Sequence, residues 1–357
     1  MIEINDFTKK LISAAGLSGY ESPVRGMIEE VWRPLTDEMH VSRLGSLHAL
    51  RRGSLPEPRP SLLLAAHMDA IGLMVTGIVD GFLRLAEIGG LDPRVLPGQL
   101  VTVHGKKDLP GMIVQPPAHL LPENLRNKPV PLGYLLVDVG LLPDQVQKLV
   151  RIGDLISFAQ PPIEISGDYL AGHSLDNRVS VAAVTQCLIE LQNRHLDWDI
   201  WAVATVQEEE TLGGAATSAF QLRPTLAVAI DVTFGSSPGS PGHKTFPIGK
   251  GPTLGWGANV HPALYKAFKE LADRLEIPVA METMPRSSGT DAMALQVTAE
   301  GIPSMIIGIP LRYMHTPVEM VAMKDVLRVG RLLAEFAAQL DDKFIERLTW
   351  KEAEKNK

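Results

Sequence analysis

The sequence of 357 residues contains little of what several classes of protein require. Its single cysteine, Cys187, cannot form an internal disulfide, so a disulfide-stabilised secreted domain is excluded. No stretch approaches the roughly 18 consecutive apolar residues of a membrane-spanning helix. The start, MIEINDFTKK, lacks the basic and apolar segments of a secretory leader. We therefore expect a cytoplasmic protein with no membrane partner.

Positive charge is also scarce. The chain has 34 Lys and Arg against 41 Asp and Glu, a net charge of −7, and no basic run long enough to follow a phosphate backbone. Nucleic acid is therefore not an expected partner. Hydrophobic residues make up 45% of the chain, which is enough for a compact core. At this length we expect two domains, or one core with a large insertion.

The hydrophobic pattern changes along the chain. Short aliphatic runs predict buried parallel strands at residues 61–69, 199–209, 225–232 and 303–310. Helical spacing predicts helices within residues 5–33, interrupted around 16–19, and at 176–195, 261–275, 290–298 and 324–348. Between these, residues 71–165 contain strand-like pieces separated by Gly, Pro and Asp turns. We therefore predict an α/β domain formed by residues 1–70 and 166–357, with a small β domain of residues 71–165 inserted into it.

Side chains that bind metals or carry protons follow the predicted strands. They are His67 and Asp69, then Glu208 and Glu209, then Asp231, with His315 after the last strand and Asp176 at the start of a helix. Ligands bind beyond the carboxyl ends of strands in open α/β sheets, so we expect these side chains to converge. Imidazoles and carboxylates without cysteine suit zinc, cobalt or manganese. Five of these seven side chains are counted as ligands: His67, Asp176, Glu209, Asp231 and His315. One catalytic ion usually takes fewer, which favours two ions sharing a bridging carboxylate.

Each of these residues also has a plainer interpretation when it is taken alone. Asp176 could be a helix cap, and Asp291 in SGTDAMALQ could be one as well. Glu208 and Glu209 could belong to a solvated acidic turn. Neighbours on a regular strand point to opposite faces, so the backbone must turn if both carboxylates serve one site.

Several motifs point to one family. The strings AAHMDAIGLMV, HSLDNRVSVAAV, VQEEETLGG, AIDVTFG and RYMHTPVEM occur in series between roughly residues 61 and 330. In that order they resemble the co-catalytic metalloaminopeptidase family that contains glutamyl aminopeptidase and the tetrahedral aminopeptidases. The resemblance implies a three-layer αβα peptidase domain with a mainly parallel sheet. It also implies that the inserted β domain is barrel-like and pairs subunits into dimers, with dodecamers as a further assembly.

The resemblance also implies a dinuclear metal centre. His67 and Asp231 would hold one ion, Glu209 and His315 the other, and Asp176 would bridge both. The two divalent ions of each subunit would be zinc or cobalt, with manganese as a further candidate. The family pattern further implies a cis peptide bond after the bridging aspartate.

The implied reaction is hydrolysis of the N-terminal peptide bond of a short peptide by a hydroxide held between two ions. Glu208 would be the general base, and Asp69 would accept the second ring N–H of His67. Ala70 and His173 depart from the family's usual residues, which leaves the preferred N-terminal residue open. Three alternatives stay open as well. They are a two-metal deacylase of acylated amino acids, a glycosidase that uses paired carboxylates, and a non-catalytic descendant of an enzyme.

Overall fold

A computed structural model describes residues 2–242 and 244–348. The strands are β1 (Glu38–Val41), β2 (Leu47–Arg51), β3 (Ser61–His67), β4 (Gly72–Val79), β5 (Phe82–Ile88), β6 (Leu100–His104), β7 (Asp108–Val114), β8 (Leu136–Asp138), β9 (Leu155–Phe158), β10 (Ile163–Ile165), β11 (Tyr169–Gly172), β12 (Asp199–Thr205), β13 (Leu226–Phe234), β14 (Thr253–Gly257), β15 (Ala280–Met284), β16 (Ser304–Arg312) and β17 (Glu319–Ala322). The α-helices are α1 (Ile4–Ser13), α2 (Ser22–Trp32), α3 (Pro143–Leu149), α4 (Leu175–Leu191), α5 (Glu208–Thr211), α6 (Gly213–Leu222), α7 (Pro262–Arg274), α8 (Ala292–Gln296) and α9 (Met323–Ala338).

A large mixed sheet carries the predicted aliphatic strands. Its strand order is β1-β2-β12-β3-β13-β16-β17-β11-β10, and β14 and β15 extend it from β16. The four central strands, β12, β3, β13 and β16, run parallel to one another. Strand β3 is buried along its whole length, as a parallel strand covered on both faces should be. The predicted α/β fold with a parallel centre is confirmed.

Helices cover this sheet and bury most of the chain's aliphatic side chains. Helix α4 packs against α1, α9 and β3, whereas α6 and α8 pack against each other and against β12 and β13 respectively. In α9, Val326, Val329 and Leu333 lie on one buried face. Each such side chain, when fully buried, contributes roughly 1.5–3 kcal/mol. The predicted helix at 324–348 is too long, because α9 ends at Ala338 and a separate 3₁₀ turn follows at Phe344–Leu348.

The inserted segment forms a closed barrel with its own core. The strands follow the order β4-β5-β8-β7-β6-β9, and β9 pairs back onto β4. A separate buried cluster fills the barrel, and all of its members lie between Ile71 and Phe158. Strand β7 carries no clear sequence signal because Pro110 and Gly111 interrupt it. Because the barrel is closed, each of the six strands pairs with a neighbour on both sides over at least part of its length.

Cys187 is completely buried in α4, and burial raises the pKa of its thiol, so it acts as a packed side chain rather than a reactive one. Across residues 2–242 and 244–348, no helix combines the length and the apolar character needed to span a bilayer.

Candidate active site

Two adjacent strands bring the first imidazole and a carboxylate together. Ala65 of β3 pairs with Ala229 of β13, so two residues further along these parallel strands His67 and Asp231 stand side by side. The His67 Nε2 atom lies 3.7 Å from Asp231 Oδ1. Both side chains are buried at the carboxyl edge of the sheet, where the sequence predicted the site.

Asp176 lies between the two predicted histidines. Its Oδ1 is 3.3 Å from His67 Nε2, and its Oδ2 is 3.4 Å from His315 Nε2. The backbone is not helical at this end of α4, where Ser174 has a φ of 63°. The peptide bond between Asp176 and Asn177 is cis, as the resemblance implied. Each oxygen of one carboxylate therefore faces a different imidazole.

The adjacent glutamates stand on a tight turn. Strand β12 ends at Thr205, Gln207 has a φ of 58°, and the single helical turn α5 begins at Glu208. This turn allows both neighbouring carboxylates to enter one site. Glu208 Oε2 lies 3.7 Å from His67 Nε2, and Glu209 Oε2 lies 3.4 Å from His315 Nε2.

Asp69 holds this turn in place. Its Oδ1 accepts the backbone N–H of Glu208 at 3.1 Å, and its Oδ2 accepts that of Glu209 at 3.2 Å. Asp69 also faces the His67 ring, since its Oδ1 lies 3.4 Å and its backbone oxygen 3.3 Å from Nδ1. A proton on Nδ1 leaves Nε2 free to bind a metal. The sequence predicted the contact with His67 but not the contacts with the two glutamates.

Burial places several negative charges where water cannot screen them. Desolvation, aided by neighbouring carboxylates, raises the pKa of Glu208 to about 10 and that of Glu209 to about 8. It raises the pKa of Asp231 as well. Hydrogen bonds to His315 and His67 overcome burial at Asp176 and lower its pKa. The carboxylates therefore need more positive charge than two imidazoles supply if all are to stay ionised at neutral pH.

The donor set fits metal ions. His67, Glu208 and Asp231 offer three ligand atoms within 4.8 Å of one another, and His67, Asp176 and Glu209 form a second such group. Oxygen and imidazole donors without thiolate are those that divalent zinc, cobalt or manganese accept. Divalent ions would also supply the positive charge that the buried carboxylates need.

Two buried acids support the site from behind. Glu319 accepts the backbone N–H groups of Asp176 and of His315, each at 3.0 Å, and so connects two of the predicted ligands. Sequence reasoning missed it, although it stands four residues after His315 in the motif RYMHTPVEM. Asp291 accepts a hydrogen bond from Thr205 Oγ1 at 2.5 Å, and its side chain does not cap α8. Burial raises the pKa of Asp291 to about 6.

The cluster opens into a cavity of about 580 Å³. This volume lies within the usual range for small-molecule sites. Apolar side chains, among them Met284, Met293 and Ile306, form part of its wall. Polar groups beyond the cluster, including Thr233 and Glu282, also line it. The cavity therefore has room for a small ligand that contacts both the imidazoles and these walls.

Comparison with known proteins identifies the family. The family described as M42 glutamyl aminopeptidase matches residues 45–332. The chain belongs to this family. It is 34% identical to a lysyl aminopeptidase of Pyrococcus furiosus over 345 residues, which is 94% of this chain and 98% of that protein.

Solved structures agree with this assignment. A TET aminopeptidase from a marine sediment Thaumarchaeota archaeon superimposes with a TM-score of 0.92 at 29% identity, covering 97% of this chain and 99% of that one. The Pyrococcus horikoshii TET1 peptidase, which can assemble into a tetrahedron or a large octahedral shell, gives a TM-score of 0.83 at 29% identity, with 95% and 100% covered. The chain is therefore an aminopeptidase of the M42 family, a family of metal-dependent peptidases.

Proposed function

We propose that this M42 peptidase releases N-terminal residues at a centre of two divalent ions. His67 and Asp231 would hold one ion, Glu209 and His315 the other, and Asp176 would bridge them. The observation that carries the proposal is the position of Asp176, whose two oxygens lie 3.3 Å and 3.4 Å from different imidazoles. Zinc and cobalt are the proposed ions, with manganese as a further candidate.

Divalent ions bound at such a centre lower the pKa of water and polarise a carbonyl oxygen. The chain's own residues supply the proton transfers and the geometry. Glu208, which lies beside His67, would take a proton from the attacking water and pass it to the leaving amine. Asp69 would act as a positioning residue, because it fixes both the His67 ring and the turn that carries Glu208.

Two matched variants test these roles. Glu208→Gln should keep both metals and lose turnover by roughly 10²- to 10⁴-fold, because the proposed role of Glu208 is that of the general base and not of a ligand. Glu209→Gln should instead lose metal first. Metal per subunit is measured by elemental analysis after dialysis, and turnover by release of the N-terminal residue from an unblocked peptide. Near-normal turnover in Glu208→Gln would contradict its role as the base.

The same peptides with an acetylated N-terminus separate the proposed reaction from a deacylase. An aminopeptidase leaves them intact, whereas a deacylase removes the acyl group. The glycosidase alternative leaves His67, Asp231 and His315 without a role, since paired carboxylates suffice for that chemistry. Family membership favours the peptidase over both alternatives.

We propose that the barrel is a separate domain that pairs subunits. Its separate hydrophobic cluster supports the predicted division into residues 71–165 and a discontinuous catalytic domain of residues 1–70 and 166–357. Within this predicted range the last barrel strand ends at Phe158, and Ile163–Ile165 already pair with β11 in the large sheet. Leu100 and Met112 stand opposite each other on β6 and β7 with 60% and 44% of their surface exposed. Such a pair suits contact with a second subunit.

The proposed assembly and substrate follow from the relatives of this chain. A dodecamer is the proposed assembly beyond the dimer, because a similar TET1 structure contains a dodecamer. The names of its relatives disagree on the side chain removed, since one is lysyl and the family description is glutamyl. Short peptides are the proposed substrates. A cytoplasmic location and the absence of a nucleic-acid partner stay predictions from the sequence.

A further inference from the structure

The cavity contains a carboxylate that the proposed reaction does not use. Glu282 of β15 lines it, with its Oε1 accepting a hydrogen bond from Thr233 and its Oε2 one from Thr253, each at 2.6 Å. Within the described part of the chain, no Lys, Arg or His nitrogen lies at ion-pair distance from Glu282. A carboxylate oriented by two hydroxyls is well placed to bind a cationic group of a ligand.

A glycine makes room for this carboxylate. Gly308 of β16 lines the same cavity, and a Cβ atom added there would lie 2.3 Å from Thr253 Oγ1 and 3.1 Å from Glu282 Oε2. Any other residue at this position would push the hydroxyl or the carboxylate aside. Because Gly308 has no side chain, Thr253 and Glu282 can lie together at the cavity wall.

Glu282 lies where the side chain of the first residue of a substrate could reach it from the cluster. Thr233 follows Asp231 by two residues on β13, so both face the same side, about 6.6 Å apart along the strand. The first peptide bond must lie at the cluster to be cleaved, so the side chain of the first residue can reach towards Thr233 and Glu282. Met284 and Ile306 provide apolar wall beside this path.

We propose that Glu282 selects peptides whose N-terminal residue has a cationic side chain, lysine or arginine. The proposal rests on the proposed aminopeptidase reaction and names its substrate class. The apolar stem of such a residue fits the methionine and isoleucine walls, and its charged end pairs with Glu282. An N-terminal glutamate would instead bring a second carboxylate towards Glu282, and like charges repel.

The unmodified enzyme provides the first test. Hydrolysis is compared for p-nitroanilides of lysine, norleucine and glutamate after loading with zinc, cobalt or manganese. Norleucine has the same four-carbon stem as lysine but no ammonium group. We expect kcat/KM for lysine to exceed that for norleucine by roughly 10- to 100-fold, the usual value of a hydrogen bond to a charged group. Glutamate should be the poorest of the three.

A matched pair of variants assigns this preference to Glu282. Glu282→Gln keeps the shape of the side chain, so lysine should lose roughly 10- to 100-fold, mainly through KM, while norleucine changes less than about threefold. Glu270→Gln removes an exposed carboxylate from α7 and should leave the lysine-to-norleucine ratio unchanged. Metal content and thermal midpoint confirm that both variants are folded and loaded.

The outcomes separate this proposal from the function beneath it. If the wild-type enzyme cleaves norleucine or glutamate with the same kcat/KM as lysine, the role of Glu282 is overturned and the aminopeptidase reaction stands. A Glu282→Gln variant that keeps the wild-type lysine-to-norleucine ratio has the same consequence. Failure of every aminoacyl substrate with every metal would instead refute the proposed function. Because the norleucine comparison uses the wild-type chain, equal kcat/KM for lysine and norleucine overturns the proposal even if Glu282→Gln fails to fold.

Discussion

Replacing Asp69 with asparagine is the sharpest test of how the two glutamates are held. Asp69 is fully buried, and its two oxygens accept the backbone N–H groups of Glu208 and Glu209. In Asp69→Asn one oxygen becomes an NH₂ group, so one of these N–H groups faces another donor. Losing one hydrogen bond to a charged acceptor should lower the free energy of unfolding by about 1.5–3 kcal/mol.

The same change should weaken the metal site. In the wild-type protein Asp69 Oδ1 lies 3.4 Å from His67 Nδ1, and the amide of the variant would face the same ring nitrogen. Loss of an outer partner of a metal-binding histidine typically costs 10- to 100-fold in metal affinity or activity. We therefore expect Asp69→Asn to need roughly 10- to 100-fold more free metal for half-maximal kcat/KM.

Three measurements check this reasoning. Urea unfolding of metal-free protein gives the stability change, elemental analysis after dialysis gives retained metal, and titration with zinc or cobalt gives the activity curve. Asp342→Asn, an exposed change of the same chemistry, serves as the control. An Asp69→Asn protein with wild-type stability, metal retention and kcat/KM would refute the claim that this carboxylate organises the turn.

Three further predictions concern other parts of the chain. Glu319→Gln should weaken metal retention roughly 10-fold or more, because one of its two N–H contacts is lost; wild-type retention would contradict this. Burial beside His40 lowers the pKa of His48 from 6.5 to about 4, so His48 contributes stability above pH 6.5 that is lost as the pH falls towards 4. When the pH is lowered from 7 to 5, the free energy of unfolding should fall by about 2 kcal/mol less in His48→Gln than in wild type, as measured by urea unfolding. Equal losses in the two proteins would show that His48 is not the source of this pH dependence. Leu100→Asp should shift the protein towards monomer in light scattering, and an unchanged molar mass would move the subunit contact elsewhere.

The central strands and the main ligand candidates could be predicted because local and global signals coincide there. Parallel strands buried on both faces read as continuous aliphatic runs, and β3 and β13 each carry a proposed metal ligand towards the carboxyl end. The adjacency of Glu208 and Glu209 required a turn, and the left-handed Gln207 provides it. The motifs then added the roles that spacing alone left open.

Residues that act through the tertiary structure could not be predicted in the same way. Glu319 accepts N–H groups from two segments 139 positions apart, at Asp176 and His315, and no local pattern announces such a contact. Glu282 stands in an ordinary edge strand, and its importance depends on hydroxyls contributed by β13 and β14. Strand β7 was not predicted, because its proline and glycine are typical of a turn, although the closed barrel accommodates both.

The barrel leaves the sheet only a few residues after His67, and its chain touches the opposite side of the cluster as well. The N–H of Gly89, just past β5, donates to Glu210 Oε1 at 2.7 Å, and a Cβ atom added at Gly90 would lie 3.2 Å from the Nδ1 atom of His315. A shortened chain from which the barrel has been cut out would consequently lose part of the wall around this histidine. Removing the barrel should therefore alter the surroundings of His315 in the same step that removes the proposed subunit contact.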